Sequence, residues 1–234
     1  MATRAVTEAR ARPAPRRKPA KAEDNRTRRY DPAETRARVL EAAYMLFGTR
    51  GYAATGTADI AREADVSEGS IFYHFGSKQA LLAELGRLHG EKLVAAMQGE
   101  EALDEISFQV SINRCFDFCE INNIWDEVVE DCADGGSNPG VHKHHPDSAP
   151  FFSAARAVVM DWTKRHLESV AAKPGMPKVD SEIAASLIFA LVGDGLQAYF
   201  RPGATDEEKA RIRAEVVRFC TAAAGTPLCP DSFF

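Results

Sequence analysis

The stretch "SEGSIFYHFGSK", which runs from Ser67 to Lys78, decides the fold of this chain. It places three aromatic side chains, Phe72, Tyr73 and Phe75, around His74 within one short helix. One aromatic face of a short helix can pack into a core, but aromatic residues on a second face need a partner other than water. The segment therefore predicts a helix whose outer face meets something other than solvent.

Helical signals continue on both sides of this stretch. The first helix is predicted to begin at "DPAE", with Asp31 as N-cap, and to close at "RGY", residues 50–52. A second short helix covers Thr57 to Ala64, Ser67 caps the third, and Ser77 caps a long fourth. Two short helices joined by a three-residue turn and preceded by a longer helix form the helix-turn-helix pattern.

The rest of the chain also has helical periodicity, and no alternating strand pattern of useful length is present in the sequence. We therefore predict an all-α fold. The later helices are expected at Leu103 to Phe118, Ile121 to Ala133, Phe151 to Ala172, Ser181 to Phe200, and from a capping box formed by Thr205 and Glu208 onward.

The charge is divided unevenly along the 234 residues. Residues 1–78 hold 15 Lys and Arg against 10 Asp and Glu, whereas residues 79–234 hold 14 against 24. A basic end joined to an acidic body indicates that the basic end binds a polyanion. Residues 1–29 contain ten Lys and Arg with few large apolar side chains, so we expect a disordered arm whose Arg28 and Arg29 contact DNA. The alternative is a solvated tail.

Several classes of protein are disfavoured. The longest apolar run, residues 183–193, is too short to span a bilayer, and the basic N-terminus lacks the apolar block of a secretory signal. Five cysteines without a CxxC pair fit a cytoplasmic protein with reduced thiols. The sequence contains no HExxH, GxSxG or Gly-rich phosphate loop after a strand, so we expect no enzyme, no cofactor and no metal site.

Residues 32–78 resemble the DNA-binding domain of the tetracycline-repressor (TetR) family of bacterial regulators. The resemblance is carried by "TRARVLEAAYMLFGTRGYAAT", by "TADIAREADVSEGSIFYHFGSK" and by the "ALL" that follows. It implies a helix-turn-helix domain at 30–78 and a helical ligand-binding and dimerisation domain at 79–234, which follow the disordered arm that composition predicts at 1–29. The expected DNA-binding residues, besides the two arginines of the arm, are Thr57, Ser67, Glu68, Gly69, Ser70, Phe72, Tyr73, His74 and Lys78.

The resemblance also assigns roles within this set. The positions of Tyr73, His74 and Lys78, and the start of the second helix at Thr57, would bind backbone phosphates, while the outer face of the third helix would enter the major groove. Phe72 stands where the family often has tyrosine. Glu68 either accepts a hydrogen bond from a cytosine amino group or is an acid favoured by the helix dipole.

The body has to supply a dimer interface and an effector pocket. The helix at 181–200 is apolar nearly all round and, together with the last helix, is expected to form a twofold interface through Leu187, Leu191, Gly193, Gly195, Val216 and Phe219. A pocket is expected to be lined by Phe108, Ile112, Phe116, Trp125, Phe151, Phe152, Met160 and Trp162, each of which is otherwise ordinary core.

We therefore predict a homodimeric cytoplasmic repressor of a near-palindromic operator, released by a small apolar or amphipathic effector. A metal- or thiol-sensing regulator of the same fold is an alternative, since Cys115 and Cys119 lie one helical turn apart and His142, His144 and His145 share a loop. The preferred interpretation is that the two cysteines are buried apolar filler and that the histidine loop is solvated. A helical enzyme and a nonspecific DNA-packaging protein are weaker alternatives. The effector, the operator and the choice between repression and activation stay open.

Overall fold

The computed structural model describes residues 31–122 and 148–225 of the chain. Within these ranges all regular structure is helical, which confirms the predicted all-α class. Three predicted features lie outside the described residues: the basic arm, Trp125 and the histidine loop at 142–145. Of the predicted helix at 121–133, only residues 121 and 122 are described. The helices are α1 (Pro32–Arg50), α2 (Thr57–Glu63), α3 (Glu68–Phe75), α4 (Lys78–Gln98), α5 (Phe108–Asn122), α6 (Ala149–Ala171), α7 (Ser181–Tyr199) and α8 (Asp206–Ala223).

Side-chain caps fix the boundaries of the helix-turn-helix segment. The Ser67 hydroxyl accepts a hydrogen bond from the Ser70 amide at 3.2 Å, and the Ser77 hydroxyl accepts one from the Ala80 amide at 3.0 Å. Between them Gly76 has a φ of +77°, a left-handed conformation that favours glycine, and it ends α3. The predicted starts of α3 and α4 are therefore confirmed, with the predicted capping residues.

The start of α5 differs from the prediction. The sequence pattern predicted a helix from Leu103, but α5 begins at Phe108. The backbone carbonyls of the preceding segment bond to side chains of α6 instead: Leu103 O accepts from Ser169 Oγ, and Ile106 O accepts from His166 Nε2 at 3.0 Å. The Ser107 hydroxyl then accepts from the Val110 amide and caps α5. These non-local hydrogen bonds replace the local ones of a longer helix.

The buried apolar residues form two clusters. The first joins α1, α2 and α3 to the start of α4, and its fully buried members include Val39, Ile60, Ile71 and Leu81. It extends beyond the expected domain boundary at residue 78, because Leu81 and Leu85 belong to it. The second cluster lies in the body and contains buried side chains of α4, α5, α6, α7 and α8, including Phe108, Phe116, Trp162, Leu167, Ala185 and Cys220.

Helices α4 and α6 lie with their backbones in contact. A Cβ atom built on Gly86 would overlap the backbone of Phe151, and one built on Gly90 would lie 2.9 Å from the carbonyl oxygen of Ala155. Glycines spaced by four residues lie on one face of a helix, so together they form a groove that admits the second backbone. We call this contact the α4–α6 seam.

Helix α7 is long and apolar enough to cross a membrane by length and composition, as core helices of soluble proteins often are. Its buried residues, Ala185, Ile188, Gly195, Leu196 and Tyr199, pack inside the body. The opposite face leaves Ile183 and Leu187 exposed. The apolar surface of α7 is therefore divided between the core of its own chain and a face that the single chain does not cover.

Candidate DNA-binding surface

Helix α3 has one buried face and one exposed aromatic face. Ile71 is fully buried in the first cluster, and Phe75 packs against that cluster beneath the guanidinium of Arg36, 5.2 Å from the ring centre. Phe72 is about half exposed, and Tyr73 is 78% exposed. Exposed aromatic side chains side by side on one short helix indicate a binding surface.

The N-termini of α2 and α3 are joined by a side-chain hydrogen bond. The Thr57 hydroxyl donates to the carboxylate of Glu68, so two residues predicted to contact DNA contact each other in the free chain. This contact is a third role for Glu68, beside base reading and the helix dipole. It holds the amide ends of α2 and α3 side by side, and backbone amides at helix N-termini bind phosphate groups well.

Gly69 presents bare backbone on the exposed face of α3. Its φ is not positive, and an added Cβ would meet the Ser67 hydroxyl at 3.8 Å, an ordinary contact. The fold therefore does not require glycine at this position. Ser67 and Ser70 flank it, with their hydroxyl oxygens 2.8 Å apart. A small polar surface at the start of a recognition helix permits close approach to base edges and phosphates.

Lys78 is bound by its own chain. Its ammonium nitrogen lies 2.6 Å from the carbonyl oxygen of Tyr52, 2.7 Å from that of Thr55 and 4.0 Å from the centre of the Tyr52 ring. The sequence resemblance assigned this residue to a phosphate. In the free protein it instead anchors the connection between α1 and α2, which leaves one of its three N–H donors for a phosphate.

The remaining predicted DNA contacts are placed as follows. The half-buried ring of His74 lies between the rings of Tyr73, at 5.1 Å, and Phe75, at 6.3 Å. The two arginines of the arm lie outside the described residues. The structure thus places Thr57 in contact with Glu68 and leaves Ser67, Glu68, Gly69, Phe72 and Tyr73 exposed, whereas Ser70 and His74 are half-buried.

The residues predicted to line an effector pocket separate into two groups. Phe108, Ile112, Phe116 and Trp162 are buried together in the second cluster, and Met160 packs against it. Phe151 is different, because it packs against the first cluster, the core of the helix-turn-helix. Its neighbour Phe152 contacts its ring edge-on at 5.4 Å. Its role in lining an effector pocket stays a prediction, since its ring also contacts that of His89 on α4 at 5.5 Å.

A cavity of about 840 Å³ opens between α4 and α6, but its lining differs from the predicted one. Its apolar residues are small, and two sets of charged residues stand among them. None of the seven proposed pocket residues that the structure describes contributes to it. The lining residues are Ala80, Ala83, Glu84, Arg87, Glu91, Val94, Ala95, Ala154, Ala157, Val158, Asp161 and Arg165.

Three cysteines are buried as free thiols in the body. Cys115 and Cys119 lie on α5 as predicted, and Cys220 of α8 is fully buried. A hydrogen bond that the Cys115 thiol donates to Cys119, together with burial, raises the pKa of Cys115, and burial raises the pKa of Cys220 to about 12. Thiols with raised pKa values hold little thiolate at neutral pH and react slowly. Among the described residues no cluster of His, Cys, Asp and Glu has the arrangement of a metal site.

The residues predicted for the dimer interface also divide into two groups. Leu187 is 65% exposed and Phe219 is 51% exposed, so both offer apolar surface. Val216 is only 5% exposed, and a Cβ on Gly195 would overlap its side chain. Gly195 and Val216 therefore belong to the contact of α7 with α8 inside the chain. Leu191 packs against the second cluster, and Gly193 is half-buried beside open space.

Comparisons with known proteins agree with this geometry. A model of the tetR family of bacterial regulatory proteins matches residues 39–85, which include α2, α3 and the start of α4. The regulator TtgR of Pseudomonas putida is 31% identical over 174 residues, covering 70% of this chain and 78% of TtgR. A transcriptional repressor of Mycobacterium tuberculosis is 40% identical over 73 residues, 31% of this chain and 39% of its own length.

Solved structures extend the likeness to the whole fold. A TetR-family structure from Syntrophomonas wolfei covers 86% of this chain and 100% of its own, with a TM-score of 0.61 at 18% identity. The fatty acid degradation regulator FadR of Bacillus halodurans covers 80% of this chain and 94% of its own, with a TM-score of 0.55 at 15% identity. Together with the sequence match to TtgR, the exposed aromatic face of α3 identifies the chain as a DNA-binding transcriptional regulator that belongs to the tetR family.

Proposed function

We propose that this protein is a cytoplasmic, homodimeric repressor that leaves its operator when a small uncharged effector binds in the body. The observation that carries the DNA-binding part is the surface around α3, where Phe72 and Tyr73 stand exposed beside the bare backbone of Gly69. An α-helix fits the major groove, and aromatic and hydroxyl groups there can contact thymine methyls and phosphates.

The uncovered face of α7 and α8 supports a dimer. Ile183, Leu187 and Phe219 are large, apolar and more than half exposed in the single chain. Burying such side chains against a second copy is favourable by roughly 1.5–3 kcal/mol for each one that becomes fully buried. A twofold dimer would present two copies of α3 to two half-sites of a near-palindrome.

The interior of the body favours an uncharged effector with at least one polar group. Burial lowers the pKa of His166, so its ring is neutral at physiological pH. Because Nε2 donates to the carbonyl of Ile106, Nδ1 is left as an acceptor. Neither this Nδ1 atom nor the buried Nε2 of Gln109 has a hydrogen-bond partner among the described residues. A hydroxyl or amide group on an aromatic molecule can bond to such atoms without introducing a charge.

Release requires that the effector bind one form of the dimer better than the other. An effector with equal affinity for the DNA-competent and released forms would shift nothing, however tightly it bound. The effector is therefore expected to stabilise an arrangement of α5 and α6 in which the two copies of α3 no longer match the half-site spacing.

The test uses a duplex recovered by the full-length protein from a pool of random DNA sequences, called the selected duplex below. Dissociation of the labelled duplex is followed by fluorescence anisotropy during titration with uncharged aromatic compounds, fatty acids, zinc and hydrogen peroxide. We expect release by one or more of the uncharged aromatic compounds. Release by zinc or peroxide alone would contradict this effector class and favour a metal- or thiol-sensing regulator.

A further inference from the structure

We infer that Phe151, the third residue of α6, is a positioning residue through which the body acts on the DNA-binding segment. The inference rests on the proposed function, because it describes how a signal in the body reaches α3. Phe151 is separated from the helix-turn-helix by more than 70 residues of sequence, yet its side chain packs against the core cluster formed by α1, α2, α3 and the start of α4.

One helix thus contributes to both cores. Trp162, Leu167 and Val170, farther along α6, are buried in the second cluster among the residues of the body. Near the start of α6, Phe151 packs against the first cluster. A change in the packing of α6 inside the body therefore changes the position of a side chain that packs against the cluster shared by α1, α2, α3 and the start of α4.

The α4–α6 seam makes this transfer direct. At Gly86 and Gly90 the two backbones are too close to accommodate even a methyl group. Close-packed contacts of this kind transmit displacement, since no loose side chain lies between the helices to absorb it. Helix α4 in turn holds the helix-turn-helix through the ion pair of Glu84 with Arg36 of α1 and through the Lys78 hydrogen bonds to the α1–α2 connection.

A line of ring contacts joins Phe151 to the body core. The ring of His89 on α4 lies 5.5 Å from Phe118 of α5 and 5.5 Å from Phe151. Phe118 packs against the second cluster and Phe151 against the first, so the ring of His89 connects the two clusters. Since burial lowers the pKa of His89, this connecting ring is neutral rather than charged. We call the three rings, those of Phe118, His89 and Phe151, the aromatic bridge.

The arrangement gives Phe151 a role distinct from filling space. An effector that moves α5 or α6 shifts Phe118 or the seam, and either change displaces the Phe151 ring that packs against the first cluster. By reciprocity, DNA binding to α3 must alter the stability of α5 and α6.

Hydrogen exchange of the full-length protein tests the inference without requiring the natural effector. The variants are Phe151→Ala, Phe151→Leu as the conservative replacement, and Leu167→Ala as a matched control, because Leu167 is fully buried in the second cluster. Without DNA, Phe151→Ala should raise the exchange of amides in α1, α2 and α3 about tenfold, which corresponds to roughly 1.4 kcal/mol. Phe151→Leu should restore most of the protection, and Leu167→Ala should leave these three helices unchanged.

The decisive comparison adds the selected duplex. In the wild type and in Leu167→Ala, DNA should change the exchange of amides in α5 and α6. In Phe151→Ala that change should be lost, even at DNA concentrations that saturate the variant.

Three outcomes would overturn the proposal. DNA could alter exchange in α5 and α6 equally in Phe151→Ala and the wild type, Phe151→Ala could leave exchange in α1, α2 and α3 unaffected, or α5 and α6 of the wild type could fail to respond to DNA. A wild type that selects no DNA sequence would instead contradict the proposed function, while the comparison without DNA would still decide the positioning role.

Discussion

The ammonium nitrogen of Lys78 lies 2.6 Å from the carbonyl oxygen of Tyr52 and 4.0 Å from the centre of the Tyr52 ring. A second carbonyl, that of Thr55, accepts from the same nitrogen at 2.7 Å. The first residue of α4 thus fixes the connection that leads into α2 and places Thr57. The resemblance had assigned Lys78 to a phosphate, and in the free chain its charge is used mainly to order the helix-turn-helix.

Replacement of Lys78 separates these two roles. Lys78→Ala should lower the free energy of unfolding by about 1–3 kcal/mol, the usual contribution of a hydrogen bond to a charged group. Affinity for the selected duplex and for random DNA should fall together, because α2 is less well placed. The slope of log affinity against log salt should stay nearly constant. A slope reduced by about 0.9, with the stability unchanged, would show that Lys78 binds a phosphate instead.

Tyr73 should contribute to DNA binding and almost nothing to stability. Its side chain is 78% exposed in the free protein, so Tyr73→Ala should leave the denaturation midpoint nearly unchanged. Affinity for both the selected duplex and random DNA should fall by similar factors, since a phosphate contact carries no sequence information. Tyr44→Ala is the matched control, because Tyr44 is also an exposed tyrosine but lies on α1. Equal DNA affinity for Tyr73→Ala and the wild type would contradict the docking of α3.

Gly69→Ala should affect stability and DNA binding in opposite directions. The added methyl group meets only an ordinary contact in the free chain, and alanine favours a helix over glycine by up to about 1 kcal/mol. Stability should therefore be unchanged or slightly higher. If the α3 backbone approaches DNA closely at this point, affinity for the selected duplex should fall at least several-fold. A variant that binds the selected duplex as tightly as the wild type would place Gly69 away from the DNA.

The exposed face of α7 gives a prediction about assembly. Leu187→Glu changes a residue that is 65% exposed in the single chain, so the variant should fold but be monomeric, and it should lose operator affinity. Val110→Glu serves as the control, since Val110 is an exposed apolar residue on α5. Leu191→Glu should behave differently and reduce stability, because Leu191 packs against the body core. A dimeric Leu187→Glu protein at micromolar concentration, measured by light scattering, would exclude this face as the interface.

The buried thiols should be unreactive in the native protein. In a Cys132→Ser, Cys229→Ser background, the thiols of Cys115, Cys119 and Cys220 should react with iodoacetamide far more slowly than after unfolding. The reason is that Cys115 and Cys220 have raised pKa values and hold little thiolate at pH 7. Peroxide should not release the selected duplex in this background. Rapid modification of the native protein, accompanied by release of DNA, would identify a thiol sensor.

Local patterns predicted much of the fold. The caps at Ser67 and Ser77 were sufficient to predict α3, because the interactions that bound a helix lie within four residues of its ends. The start of α5 could not be predicted in this way. The backbone carbonyls of residues 103 and 106 accept hydrogen bonds from Ser169 and His166, which lie 66 and 60 residues farther along the chain.

The same distinction applies to the functional residues. The exposure of Phe72 and Tyr73 follows from helical periodicity once Ile71 is placed in the core. The position of Phe151 depends on how α6 crosses α4, and periodicity within α6 contains no information about that crossing. Gly86 and Gly90 were the available signal, since small residues spaced by four often mark a close contact between helices. Their spacing does not identify the helix that packs against them. For Gly195, likewise, the sequence does not show whether the close contact is made within the chain, where the structure places it against Val216, or with a second copy.

The most direct test of the account is the ratio of specific to nonspecific DNA affinity of the full-length protein. The protein is used to enrich duplexes from a random pool, and its affinities for the enriched sequence and for a scrambled duplex of equal length are measured at one salt concentration near 150 mM. We predict enrichment of a near-palindrome with two half-sites, and a ratio of at least about 10³. Recovery of no common sequence, with equal affinity for both duplexes, would contradict sequence-specific regulation and favour a nonspecific DNA-binding protein.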